Sequence, residues 1–363
     1  MRNRIIITIT LVVLLASALP ALCVAAVDTN AALDYLKTQQ NADGGFGSGF
    51  SPESAIGSTA DVVLAIVAVG GDPATFDQGG NTPLSYLEAN APSTATGGNL
   101  AKLILAATAV GENPRQFGGV DLVAKLEGMI GADGKIGSET DTFFNHTLAV
   151  LALKSAQRPI PAAAVDYIKN AQQDNGAWAW DGSAETAADT NTAAFAVQAL
   201  IAAGEASSGD AMTNALAYYK SIQNDDGGWP YQSPSDFGTA TDANSTAVTI
   251  QALIAIGQNP AGGDWTTAEG NTPISVLEAF QNESGAFAWQ AAVPDDNLLA
   301  TVQALPAIAG KTFPLATMDV GEAAVTAPAT MPQTGGAALN LALPLLLSGL
   351  ALASGGYALH RKK

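Results

Sequence analysis

The chain alternates between two kinds of apolar segment. In the first kind, stretches of eight to fourteen residues are apolar nearly all round: 61–70, 100–111, 147–154, 191–204, 244–257 and 297–310. A helix without a polar face belongs in an interior. In the second kind, an amphipathic segment runs into a glycine turn and then an aromatic or aliphatic residue. Tyr35 and Leu36 lead to Gln40 and Gly44-Gly45-Phe46, and Tyr167 and Ile168 to Gln172 and Gly176-Ala177-Trp178. The same order recurs at Tyr218 and Tyr219 with Gln223 and Gly227-Gly228-Trp229, and at Val276 and Leu277 with Gln281 and Gly285-Ala286-Phe287. Weaker copies stand at Lys125 and Leu126 with Gly134-Lys135-Ile136, and at Tyr86 and Leu87 without the turn.

Each copy predicts a helix ending at a left-handed glycine cap, followed by a buried helix. Six such pairs predict an all-α fold, a six-over-six α/α toroid with the amphipathic helices outside and the apolar ones inside. A second duplication supports the count, since residues 80–89 (GNTPLSYLEA) closely match 270–279 (GNTPISVLEA). Both place Thr-Pro at a helix start. The toroid is expected over 27–314 and a linker rich in Ala, Thr and Pro over 315–336.

The two ends carry targeting signals. Arg2 and Arg4, an apolar run to Leu19 and small residues at 24–26 read as a signal peptide over 1–26. Met331, Pro332, Thr334 and Gly335 precede about 23 mostly apolar residues and a basic tail ending at Lys363. This order reads as a transmembrane anchor over 337–363, its basic tail cytoplasmic. The motif resembles the sortase signal L-P-x-T-G with Met331 in place of leucine. The expected location is the outer face of the membrane or the cell wall, with the membrane and sortase as partners.

Charge narrows the function further. Of 15 basic residues five lie in the two ends, so the remainder carries ten against 33 acids, which disfavours nucleic acid. The single cysteine, Cys23, falls in the signal segment, so the mature chain is expected to have no disulfide, thiolate metal site or thiol nucleophile.

The Gln-x-x-x-Gly-x-Trp pattern at Gln172–Trp178 and Gln223–Trp229 resembles the QW repeat of the prenyltransferase and squalene-cyclase superfamily, over roughly residues 28–314. Residues 302–313, the Asp189-Thr190 helix start, and residues 112–127 resemble the helical domain of the intrinsic factor and transcobalamin family of cobalamin carriers. That likeness implies a corrinoid (cobalamin) as ligand, with Asp189 and Gln303 facing it. The carriers close over their ligand with a β domain, and an anchor stands in its place here. A separate closing protein is therefore the implied partner.

The superfamily's catalytic devices are missing from the sequence. It has no D-x-D-D acid, no Asp/Cys/His zinc set and no thioester cysteine, and Asp225-Asp226 and Asp295-Asp296 read as turn or helix-start residues. The apolar segments hold one aromatic, Phe195, with Phe143, Phe144, Trp180 and Trp289 in flanking loops. The leading expectation is a non-catalytic surface module binding a small molecule at the polar, aromatic rim where the loops gather. The ligand-binding candidates are Asp189, Asn191, Asp242, Asn244, Gln303, His146, Trp180 and Trp289. Asp61, deep in an apolar segment, needs a partner or a ligand. The alternatives are a terpene cyclase or prenyltransferase-like enzyme, and a structural or adhesive surface protein.

Overall fold

The computed structural model describes residues 27–49 and 51–322. Among them twelve α-helices follow one another: α1 (Thr29–Thr38), α2 (Ile56–Ala68), α3 (Pro83–Asn90), α4 (Gly97–Ala109), α5 (Leu122–Glu127), α6 (Phe143–Ser155), α7 (Ala162–Asn170), α8 (Thr190–Ala203), α9 (Asp210–Ile222), α10 (Ala243–Ile256), α11 (Pro273–Ala279) and α12 (Leu298–Ile308). The even-numbered helices are the apolar ones. They pack in sequence, α2 on α4 and onward to α12, and α12 returns to α2, which closes an inner ring. The odd-numbered helices stand outside it and keep a polar face, as the alternation of segments predicts.

Local chemistry fixes where five of the six inner helices begin, all but α2. The side chains of Thr96, Thr142, Asp189, Asp242 and Asn297 each accept a hydrogen bond from a backbone N–H in the first turn. The duplicated Thr-Pro starts form capping boxes at Thr82 with Ser85 and at Thr272 with Ser275. Replacing Thr272 by alanine is expected to cost about 1 kcal/mol of unfolding free energy, read from the urea midpoint.

The recurring glutamine is a staple between units. Gln40 Nε2 donates to Gly44 O at 2.9 Å and to Phe76 O at 3.0 Å, ahead of the next outer helix. Gln172 does the same to Gly176 O and Ala211 O, and Gln223 to Gly227 O and Trp265 O. The last copy joins the ends of the ring. Gln281 Nε2 donates to Gly285 O at 3.0 Å and Asp28 O at 2.9 Å, and its Oε1 accepts from Asp28 N at 2.8 Å. The motif's tryptophans tie the turn to its own helix, Trp178 Nε1 to Ile168 O and Trp229 Nε1 to Tyr219 O.

Three boundaries differ from expectation. Helix α6 starts at Phe143 rather than near 147, because Thr142 and Asn145 form a capping box that the polar spelling of this stretch conceals. The loop expected over 287–296 is an antiparallel hairpin of β1 (Phe287–Gln290) and β2 (Val293–Asn297). The expected linker beginning at residue 315 is held to the toroid through residue 322, with Leu315 and Met318 packed on the core and Val320 buried. The signal segment 1–26, the sorting residues Met331, Pro332, Thr334 and Gly335, and the anchor 337–363 lie outside the described residues. Among the described residues no helix is long and apolar enough to cross a membrane.

Candidate functional site

The inner ring encloses a lumen. The fifth residue after each inner helix start lines it in all six helices: Asp61, Lys102, Leu148, Phe195, Val248 and Gln303. The eighth does so in four, at Leu64, Leu105, Gln251 and Pro306, and the free space between them is about 60 Å³. The lining is apolar on most sides, with polar groups from α2, α4, α10 and α12.

Asp61 and Lys102 pair at 2.6 Å, each about a quarter exposed, at 29% and 23%. The partner that Asp61 needed comes from the neighbouring inner helix. On α12, Gln303 Oε1 accepts from Asn244 Nδ2 at 2.9 Å. Gln251 Oε1 and Asn191 Oδ1 are buried without a protein partner, so each is open to a bond with water or a bound molecule.

The lumen holds more aromatic surface than the apolar segments alone suggested. Phe144, placed in a loop by the sequence pattern, is in α6 and lines the space with Phe195 and Phe313. Phe144 meets Phe195 edge to face at 5.0 Å, and Phe195 stacks on Phe313 at 6.2 Å. Phe143 points elsewhere, stacked on Tyr167 at 6.1 Å.

The rim candidates separate into two groups. Asp189 and Asp242 are 2% exposed and serve as N-caps, accepting from Thr192 N and Ser245 N at 2.7 Å. Burial raises both carboxyls to about 6, against the partial compensation of those bonds. Asp189 Oδ2 has no hydrogen-bond partner. Tyr231 lies between the two sites: its carbonyl accepts from Thr190 N, and burial and the Asp189 charge push its phenol up to about 12. Trp180 and Trp289 stay at the surface, 49% and 40% exposed, as do Tyr231 and Phe237.

His146 packs its ring against Phe143 and Tyr167. It is fully buried; Nδ1 accepts from Ile136 N at 2.9 Å, so Nε2 carries the proton and meets Ala164 O at 3.0 Å. Burial pushes its pKa down to about 4. With both nitrogens used, it has none to offer a ligand. Asp141, just ahead of the Thr142 cap, accepts from Gly97 N and Gly98 N at the start of α4 and from Ser138. Burial raises its pKa, but these bonds outweigh burial and hold the carboxyl below its usual range. Asp225-Asp226 lies in a turn, where Asp226 accepts from Gly228 N and Thr241 Oγ1, whereas Asp295-Asp296 lies in β2, where Asp296 accepts from Asn282 Nδ2 and Ser284 Oγ. Among the described residues no group of three or more His, Cys, Asp or Glu is placed to hold a metal ion.

Known proteins share this architecture. The squalene-hopene cyclase C-terminal domain family matches residues 135–296, and the prenyltransferase α/α toroid domain family matches residues 4–87. The type II terpene cyclase MstE from Scytonema is 14% identical, with a TM-score of 0.55 over 77% of this chain and 96% of that one. It has also been solved with geranylgeranyl dihydroxybenzoate as its substrate. A protein from Actinoplanes is 13% identical, with a TM-score of 0.52 over 77% of this chain and 97% of its own. Haptocorrin, solved in complex with Cbi, is 16% identical, with a TM-score of 0.47 over 80% of this chain and 68% of its own. No curated protein sequence matches the chain. At such identities the structural likenesses bear on fold alone, and with the two family matches they identify an α/α toroid fold similar to that of the prenyltransferases and squalene cyclases.

Proposed function

We propose that the toroid binds an isoprenoid or similarly apolar chain in its lumen. The observation that carries this reading is the pair Phe144 and Phe195 among aliphatic side chains, with Lys102, Gln251 and Gln303 positioned to receive a polar head. MstE supports it, because a protein of the same fold takes a geranylgeranyl compound as substrate. A corrinoid gains no comparable support, since a lumen of about 60 Å³ is small for a macrocycle and its walls are continuous helices. Equilibrium dialysis of the full-length protein with farnesol tests the reading, with cyanocobalamin as the comparison. Saturable farnesol binding that is lost in Val248→Trp, where an indole fills the lumen, is the expected result. Farnesol binding indifferent to that substitution would remove the lumen as the site. No binding at all would return the chain to the structural or adhesive reading.

A second reading, acid-started cyclisation of the bound chain, is favoured by a carboxylate, Asp61, facing the same lumen as these two rings, whose π faces stabilise cationic charge. Incubation with squalene and geranylgeranyl diphosphate decides: a cyclic product abolished by Asp61→Asn establishes the enzyme, and recovery of intact substrates excludes it.

We further propose that the domain faces outward, exported by residues 1–26 and retained by 337–363, as their charge and hydropathy order implies. Protease treatment of intact cells is expected to remove the toroid; a fully protected toroid would overturn this.

A further inference from the structure

We propose that the segment 311–322 is a displaceable plug, and that Phe313 occupies the part of the lumen where the apolar ligand binds. This rests on the lumenal site proposed above and adds its regulation.

Beyond α12 the chain turns at Gly310, which has a left-handed φ of +66°, and crosses from α12 past α8 to α6. Phe313 and Thr312 attach to one side-chain atom: Phe313 N and Thr312 Oγ1 both donate to Gln198 Oε1 at 2.9 Å. The Phe313 ring enters the lumen and stacks on Phe195. Further along, Met318 N donates to Ser155 O at 2.7 Å. The far end is clamped by two guanidinium groups. Arg115 Nη2 and Arg158 Nη1 each donate to Gly321 O at 2.9 Å, and Arg158 also pairs with Glu322 at 2.9 Å. Both arginines are themselves anchored on the toroid, through Asp121 and Glu127.

Two features make this segment the movable part. It contains no helix or strand, and past Lys311 a single backbone-to-backbone bond, from Met318 N, ties it to the rest of the described protein. The inner helices are held by their own backbone hydrogen bonds, with Pro306 in α12 a position that lacks a donor, so local opening falls to the strap first. The lumen then demands such a motion. Ligand sites for small molecules run from about 300 to 1,000 Å³, well above the 60 Å³ present with Phe313 in place. Phe313 is the lining residue that no inner helix holds, so its withdrawal enlarges the space without breaking the ring.

The test uses full-length protein, farnesol as the probe, and hydrogen exchange read by mass spectrometry. Phe313→Ala is expected to bind farnesol about tenfold more tightly than wild type. In wild type, saturating farnesol is expected to remove exchange protection from Phe313 and Met318 while the inner helices keep theirs. Arg158→Gln loosens the clamp far from the lumen and is expected to speed farnesol association several-fold; it stands in should Phe313→Ala fold poorly, as judged by its thermal midpoint. Equal affinities with an unchanged, protected strap would overturn the plug while leaving the lumenal site intact. Failure of every variant to bind farnesol would overturn both.

Discussion

An alanine at Gly285 is expected to cost the toroid about 3–5 kcal/mol, because it strikes the seam where the ring closes. Two costs coincide there. Gly285 has a φ of +87°, a left-handed conformation that penalises any Cβ by roughly 1–2 kcal/mol. An added Cβ would also lie 2.2 Å from the carbonyl carbon of Ala31 and 2.3 Å from its oxygen, and neither is the end of a flexible side chain. The sixth unit must then move away from α1, which strains the Gln281 bonds to both backbone atoms of Asp28. Gly204→Ala is the control. Its φ of +100° imposes the same conformational cost, but nothing lies within 4 Å of an added Cβ. Urea unfolding of the two variants separates packing from backbone strain. Equal losses would show that the close approach of unit six to unit one contributes nothing.

The same comparison explains what the sequence pattern could and could not convey. The repeating glycine is legible as a left-handed turn, and the repeating glutamine marks the unit, because both act on residues close by. Gln172 reaches Gly176, four positions on. Capping also reads directly, as Thr272 and Ser275 are three residues apart. The site's chemistry depends on distant partners. Lys102 meets Asp61 across 41 positions, and nothing in either helix taken alone announces the pair. His146 looks like a rim residue until Ile136 and Ala164 claim its two nitrogens. Phe313 reads as the tail end of the toroid segment, and only the return of the strap across α8 puts it in the lumen. Asp189 and Asp242 stand among the ligand candidates by sequence, and the structure shows each of them capping an inner helix. Their depth was hidden because solvated and buried caps share one spelling.

That depth has a consequence for pH. Asp189→Asn and Asp242→Asn are each expected to raise the unfolding free energy by on the order of 2–3 kcal/mol at pH 8, with the gain gone by pH 4. In the folded wild type both carboxyls hold their protons up to about 6, against a usual value of 3.8. The folded state therefore binds more protons than the unfolded chain between about pH 4 and 6, and stability falls as pH rises through that window. Asparagine keeps the cap, since its oxygen accepts the same first-turn N–H, and it removes the buried charge. His146 works in the opposite sense. Burial holds it neutral down to about 4, against a usual 6.5, so the unfolded chain binds the extra proton and stability rises with pH over that range. Two carboxyls outweigh one imidazole, which gives the wild type a negative slope between pH 4.5 and 6. In the double variant the imidazole is opposed only by Glu112 and Glu278, whose carboxyls burial also raises, and the slope is expected to be markedly less negative than in wild type. Urea unfolding across this range decides the matter: parallel curves for wild type and double variant would mean that the two caps are solvated in the folded protein, and the polar rim would then be open to water rather than sealed beneath Tyr231.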